Sequence, residues 1–258
     1  MELWDTHCHL TLPPLAADVD GALCRARQAG VSNVVIPAYD VASWADVAAL
    51  SDRPGVRVAF GVHPWVAGAL LSRAAPFGTL RTELESALDL GRAAAVGEIG
   101  LDFKVEGADR ALQSALLELQ LDVADARDLP VLLHCRGAFE ELLAALAARR
   151  GRVRGVVHAF SRGPDIARRF LDLGLHLAFG GAVTRPSAER ARKSAAFAPH
   201  DRILLETDAP SIGLDGVPPE LAEPRHVREI AASVGRIRNV DFDEIAAVTS
   251  ENARRLFG

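Results

Sequence analysis

At 258 residues, 49% hydrophobic and 24% charged, the chain is long enough to bury the core of one α/β barrel or of two smaller domains. No apolar run approaches the roughly 18 residues of a membrane helix, the opening Met-Glu-Leu-Trp-Asp lacks the features of a secretory signal, and the three cysteines, Cys8, Cys24 and Cys135, suit reduced thiols in a cytoplasm. A net charge of −5 argues against a broad basic surface that would coat nucleic acid, while leaving room for a local positive site.

In chain order, short apolar runs alternate with longer amphipathic ones. Leu3-Trp4 reads as a strand, followed by an amphipathic stretch over about 16–29 closed by Gly30. Val31 to Pro37 is a second strand, with β-branched Val34-Val35-Ile36 at its centre, and 41–50 reads as helix. Val56 to Val62 is a third strand, and 77–90 a helix stopped by Gly91. Ala94 to Val96 is a short fourth strand running into Gly97-Glu98-Ile99-Gly100. Leu112, Leu116, Leu119 and Val123 give helical spacing across 109–128. Strands are expected at 130–133, 155–157, 175–179 and 202–205, with helices at 139–149, 165–173, 187–197, 227–234 and 242–256. The longest irregular stretch is 209–224, rich in Pro and Gly.

Eight strands alternating with helices predict a TIM (β/α)8 barrel over 1–258 as one domain, with an open doubly wound sheet as competitor. The polar residues favour the barrel. His7, His9, His63, Glu98, His134, His158 and Asp208 all fall at or just past the C-terminal ends of expected strands, which a barrel gathers at one mouth. In His7-Cys8-His9 the alternation of a strand turns both imidazoles to one side and the thiol to the other. Five of eight histidines ending strands is hard to ascribe to packing, whereas His176, His200 and His226 read as surface or structural.

His7, His9, His134, His158, Glu98 and Asp208 form a nitrogen and oxygen donor set suited to Zn²⁺, Mn²⁺ or Mg²⁺, with two ions expected. One ion would take His7, His9 and Asp208, the other His134 and His158, and Glu98 is the carboxylate available to bridge them. Two dications against two carboxylates leave about two positive charges, enough to draw a phosphate to an acidic protein. Arg136, two residues after His134, is either a phosphate clamp or a bridge to surface carboxylates. Trp65, Phe103 and Phe160 either stack on bases or pack against neighbouring loops. Cys8 and Cys135 read as small core-side residues.

The motifs Asp-Thr-His-Cys-His at 5–9, Gly-Val-His-Pro at 61–64, Gly-Glu-Ile-Gly-Leu-Asp at 97–102, Leu-His-Cys-Arg at 133–136, Val-His-Ala-Phe-Ser at 157–161 and Glu-Thr-Asp-Ala-Pro at 206–210 resemble the TatD family of metal-dependent deoxyribonucleases, in order and over nearly the whole chain. Details after Leu12 and Asp208 most resemble its bacterial YjjV branch. The resemblance implies a TIM-barrel metallohydrolase, cleavage of DNA 3′ ends or related phosphodiesters, and metal ligation by His7, His9, Glu98, His134, His158 and Asp208. Two departures bear on substrate choice: Trp65 stands where many members have a second histidine, and Ala222-Glu223-Pro224 where members often carry Asn-x-Pro.

On this reading Asp208 and Glu98 are the catalytic carboxylates, Asp208 taking a proton from water. His63 and Arg136 contact phosphate, and Glu206 and Asp102 orient the groups that touch metal. The partner is DNA, as single strands or ends, acted on by a cytoplasmic monomer. The competing reading keeps the barrel and changes the bond to an ester or amide, as in an aminoacyl-tRNA deacylase.

Overall fold

The computed structural model describes residues 2–72 and 77–258. Eight strands lie in sequence order in one sheet: β1 (Leu3–Asp5), β2 (Val31–Pro37), β3 (Val56–Phe60), β4 (Ala95–Asp102), β5 (Val131–Arg136), β6 (Gly155–Val157), β7 (His176–Phe179) and β8 (Ile203–Leu205). The α-helices between and after them are α1 (Val19–Gln28), α2 (Trp44–Ala48), α3 (Leu80–Leu90), α4 (Arg110–Ala126), α5 (Phe139–Ala148), α6 (Pro164–Asp172), α7 (Glu189–Phe197), α8 (Val227–Arg238) and α9 (Phe242–Phe257). Parallel strands joined through helices in strict order are the (β/α)8 arrangement expected from the sequence. The strands are buried over most of their length, as parallel strands are; β4 and β7 are buried throughout.

The differences from expectation are at element ends. The stretch 16–29 divides into a 3₁₀ turn, Leu15–Ala17, and α1, because the Asp18 carboxylate caps the helix by accepting from Gly21 N–H at 3.1 Å. Helix α4 starts on the same device, Asp109 accepting from Leu112 N–H at 2.9 Å. A 3₁₀ helix at Pro64–Ser72 follows β3 where no element was expected. Strand β4 runs on through Asp102, so Glu98 sits inside a strand rather than past its end. His134 likewise lies within β5.

The chain divides into two compact units. The first comprises residues 1–36, 53–57 and 158–258. In it β1 pairs with β2, and β7 with β8. Strand β8 is joined to the segment after β1 by Thr6 N–H donating to Leu205 O (3.0 Å) and a parallel bridge between Cys8 and Ala209. Asn252 of α9 is buried and donates to the carbonyls of His200 (2.8 Å) and Ile203 (2.9 Å), fixing the last helix beneath β8. The second unit comprises 37–52 and 58–157, and its strands pair in series from Ala59↔Ala95 in β3 and β4 to Val131↔Gly155 in β5 and β6. Among the described residues no helix is long and apolar enough to cross a membrane.

The Ala222-Glu223-Pro224 stretch is structural in this chain. Ala222 is fully buried, the Glu223 carboxylate pairs with Arg25 (2.8 Å), and Glu223 and His226 cap one another's backbone. Burial holds the His226 imidazole below its ordinary pKa of 6.5, Arg225 pushes the same way, and Glu229 and Glu223 oppose. Its Nδ1 accepts the Glu223 N–H at 2.9 Å, a bond that protonation destroys. The folded pKa lies below the unfolded one, so the unfolded chain takes up this proton first as pH falls. Stability is therefore complete above the unfolded value and is lost as pH falls through the folded one. The melting temperature of metal-free protein should drop as the pH falls below the ordinary histidine value of 6.5, and His226→Gln should flatten that drop. Identical pH profiles for the two proteins would remove this role.

Candidate functional site

In the first unit the site is built along a continued parallel ladder. After β1, His7 O accepts from Asp208 N–H (2.8 Å) and His9 N–H donates to Ala209 O (2.8 Å), so 7–9 runs beside 208–209. Buried Asp5 completes this alignment. One carboxylate oxygen accepts from the backbone N–H of Thr207 (2.9 Å) and of His7 (3.3 Å), and the other lies 2.6 Å from the Thr207 hydroxyl. Burial raises the Asp5 pKa well above the usual carboxylate value, the bonds from Thr207 and His7 work against it, and the charge of Glu206 adds to it.

The result is a buried cluster of His7, His9 and Asp208. His7 Nε2 and His9 Nε2 are 3.2 Å apart, and Asp208 Oδ1 is 3.9 and 3.6 Å from them. Three donors each about 2.0–2.2 Å from a common tetrahedral ion stand about 3.3–3.6 Å from one another. The observed edges bracket that range, so these residues fit a divalent cation. Asp208 holds this place from the left-handed region, at φ 50°, a backbone state that costs a non-glycine residue free energy. Its carbonyl accepts from the N–H groups of Ser211 (2.7 Å) and Ile212 (3.0 Å), which keeps it there. Cys8 turns away, donating to Ala209 O at 3.5 Å, and burial raises its pKa so that it stays a thiol rather than a ligand. His158 stacks flat on His7, ring centroids 4.1 Å apart, with Nδ1 3.6 Å from Glu206 Oε1. Glu206 Oε1 also accepts the Ala159 N–H.

In the second unit the register of β4 on β5 does the positioning. His134 is paired with Gly100, and Arg136 with Asp102. The His134 ring thus lies between two carboxylates of β4: Nδ1 is 3.1 Å from Glu98 Oε1 and Nε2 is 3.3 Å from Asp102 Oδ2. Two glycines permit this. A Cβ at Gly100 (φ 148°) would stand 2.0 Å from His134 O, and one at Gly97 2.5 Å from Leu132 Cβ. The flanking glycines of the 97–102 motif therefore serve close backbone approach.

His63 stands against Glu98, Nε2 to Oε1 at 3.2 Å, and stacks on Tyr39 at 5.1 Å. Its Nδ1 accepts the Trp65 N–H at 3.2 Å. A neutral His63 then carries its proton on Nε2 and donates to Glu98; a metal on Nε2 would require the tautomer whose Nδ1–H faces an N–H. His63 is thus better suited to hold Glu98 than to bind a cation.

Asp102 is fully buried and accepts from Trp65 Nε1 (2.6 Å) and Lys104 N–H (2.8 Å). Burial alone would raise its pKa, but the bonds from His134, Trp65 and Lys104 hold it well below the carboxylate range. Arg136 brings Nη1 to 3.7 Å from Asp102 Oδ2 with its side chain 59% exposed. Two glutamines of α4, seven residues apart and on one face, clamp the strand ends. Gln113 takes the Asp102 N–H (2.9 Å) and donates to Asp102 O (3.0 Å); Gln120 does the same for Val62 (2.7 and 3.1 Å), next to His63.

Asp5, Thr207, Gln113, Gln120 and the indole of Trp65 were not singled out for these tasks in the sequence. Asp5 and Thr207 carried a signal as parts of the 5–9 and 206–210 motifs, and Trp65 as a departure from the family pattern; Gln113 and Gln120 carried none. Phe160 is buried against Phe170 and Phe179, which settles it as packing. Phe103 lies under the Arg110 guanidinium.

The pattern of a family described as TatD related DNase matches residues 4–258. The chain is 35% identical over 256 residues to an uncharacterized metal-dependent hydrolase, YjjV, of Escherichia coli K12, covering 98% of this chain and 96% of that protein. It is 33% identical over 263 residues to the 3′-5′ ssDNA/RNA exonuclease TatD of Edwardsiella piscicida, covering 98% of each. The crystal structure of the YjjV protein superposes with a TM-score of 0.89, covering 99% of this chain and 97% of that one. The fold is therefore the TIM barrel expected from the sequence.

Asp5→Ala should leave a folded protein with weakened hold on metal, because the Asp5 carboxylate ties the backbones of His7 and Thr207 to one group. Zn²⁺ affinity measured by chelator competition should fall about 10–100-fold. Unaltered affinity in a protein with native circular dichroism would show that the ladder alone positions the histidines.

Proposed function

The chain belongs to the TatD-related DNase family of metal-dependent hydrolases, and we propose that it cleaves phosphodiester bonds at the ends of single-stranded DNA. The observation that carries the proposal is the spacing of His7, His9 and Asp208, which suits one divalent cation, with an exposed guanidinium, Arg136, anchored beside His134 through Asp102. The name of the Edwardsiella relative supports nucleic acid as the substrate class.

In the second unit Glu98 and His134 would offer a carboxylate and an imidazole to a second ion, and in the first unit His158 would offer another imidazole; Mg²⁺, Mn²⁺ and Zn²⁺ all suit such donors. When bound, such ions supply Lewis acidity and lower the pKa of water. The remaining chemistry falls to the chain's own groups. Asp208 accepts the proton of the attacking water. His63, through its Nε2–H, holds Glu98 in place, and this is the reading we prefer to direct phosphate contact. Asp102 orients His134 and Arg136, and Glu206 orients His158. Arg136 meets the phosphate with charge-assisted hydrogen bonds.

The deciding experiment is hydrolysis of end-labelled single-stranded DNA, RNA and an aminoacyl-tRNA with Mg²⁺, Mn²⁺ and Zn²⁺ in parallel. Release of nucleotides from DNA ends is expected; deacylation of the aminoacyl-tRNA without nucleotide release would replace this reading with the ester hydrolase.

Asparagine matches aspartate in size but cannot take a proton, so Asp208→Asn should lower turnover roughly 10²–10⁴-fold at saturating metal. Glu206→Gln keeps an acceptor for the Ala159 N–H and should cost only about 10–100-fold. Near-normal turnover in Asp208→Asn would refute the assignment of the base. Arg136→Ala should weaken use of DNA by about 1.5–3 kcal/mol with metal content unchanged. Equal kinetics for the Arg136 variant and the parent across a salt series would make Arg136 structural.

A further inference from the structure

Of the three tryptophans, Trp4 and Trp44 are 4% and 7% exposed, whereas Trp65 is 48% exposed. Leaving so large a ring in water forgoes hydrophobic stabilisation, yet Trp65 is held in place. Its Nε1–H donates to the buried Asp102 at 2.6 Å and its backbone N–H to His63 Nδ1 at 3.2 Å. The ring stands edge to face with His63 (5.0 Å, 87°), His134 (6.1 Å, 77°) and Tyr39 (6.5 Å, 79°). An indole N–H only donates and an ionised carboxylate only accepts, so this bond fixes the orientation of the ring. The same Asp102 oxygen lies 3.7 Å from the exposed guanidinium of Arg136. One buried carboxylate thus anchors a solvent-facing π surface and a solvent-facing cation.

We propose that Trp65 is a base-stacking residue of this site: an unpaired nucleobase of a single-stranded substrate lies on the open indole surface while Arg136 takes an adjoining phosphate. This inference rests on the nucleic-acid reading above and adds the residue that favours a base-bearing single strand. A tryptophan needed only for packing would be buried, as Trp4 and Trp44 are. A side chain needed only to donate to Asp102 could be far smaller. What remains is a fixed, exposed aromatic surface, and every base offers a π-face to it. The expected selectivity is accordingly for the presence of a base and for its being unpaired, with little preference among the four.

The test compares two single-stranded oligonucleotides that differ only in whether the terminal nucleotides carry bases or are abasic. The wild-type protein should favour the base-bearing strand in kcat/KM roughly 5- to 100-fold, mainly through KM. In Trp65→Ala the ratio should fall to about one. In Trp65→Phe, which keeps a ring and loses the bond to Asp102, most of the ratio should survive. Using the ratio cancels any general damage passed through Asp102 to His134. In parallel, the base-bearing strand should quench the exposed indole's fluorescence in the wild type, and this change should vanish in Trp65→Phe. An unchanged ratio in Trp65→Ala overturns the inference, and so does an equal collapse in Trp65→Phe, which would reduce Trp65 to a donor for Asp102. Failure of the wild type to cleave either oligonucleotide overturns the nuclease reading instead, and the fluorescence titration then decides the stacking on its own.

Discussion

The second unit depends on how closely β4 can approach β5 at one point. Gly100 lies so near the His134 carbonyl that even a methyl group would collide with backbone there. The neighbouring contacts follow from this. Because His134 sits opposite a residue with no side chain, its ring reaches a carboxylate on either side, Glu98 through Nδ1 and Asp102 through Nε2. Because Asp102 is opposite Arg136, the guanidinium arrives at the same carboxylate as the imidazole and the indole. A pleated strand alternates faces with a period of two, so slipping this register by one residue would turn all of these groups away together. The paired glutamines of α4 guard against such a slip by grasping the backbone at Val62 and Asp102.

The first unit meets the same requirement differently. Past the ends of β1 and β8, where the ligating residues begin, the ladder thins to a single bridge between Cys8 and Ala209 and the bonds beside it, and a side chain reinforces it. Asp5 bonds the backbone of both His7 and Thr207 and keeps the two segments in step. Only then can Asp208 take up a left-handed backbone and still aim its carboxylate at His7 and His9. The strained residue is the one to which we assign the proton transfer, and backbone N–H groups of Ser211 and Ile212 hold its carbonyl in that conformation.

The eight strands and their order were legible because parallel strands buried on both faces leave short apolar runs that end at glycine, proline or a polar residue, and helices leave a 3.6-residue period. The His7-Cys8-His9 pair was legible through the two-residue period of an extended chain. The length of β4 was not, since Gly97 and Gly100 read locally as turn residues and show their purpose only once β5 lies beside them. Gln113 and Gln120 were hidden for a related reason: a polar residue on the buried face of a helix looks like a blemish until the amide it clamps is known. Trp65 stood out as a departure, but its hydrogen bond to Asp102 joins residues 37 apart in the chain. The packing of 222–224 was not legible, because a loop rich in proline looks exposed, whereas Ala222 is packed and Glu223 is tied to Arg25.

Electrostatics explains why such a site is best completed by cations. Carboxylates and neutral imidazoles buried side by side are costly, because the carboxylates lose water and receive only dipoles in return. At low pH the imidazoles could supply the missing charge by taking protons. A dication supplies that charge at one point: a single ion would satisfy His7, His9 and Asp208 together. Asp102 is held below the usual carboxylate range by the bonds from His134, Trp65 and Lys104, which outweigh its burial. The residues that would grip a substrate, Trp65 and Arg136, are fastened to this one carboxylate. One buried carboxylate of the second unit thus fixes a positive group and an aromatic surface together, so that neither can shift without the other.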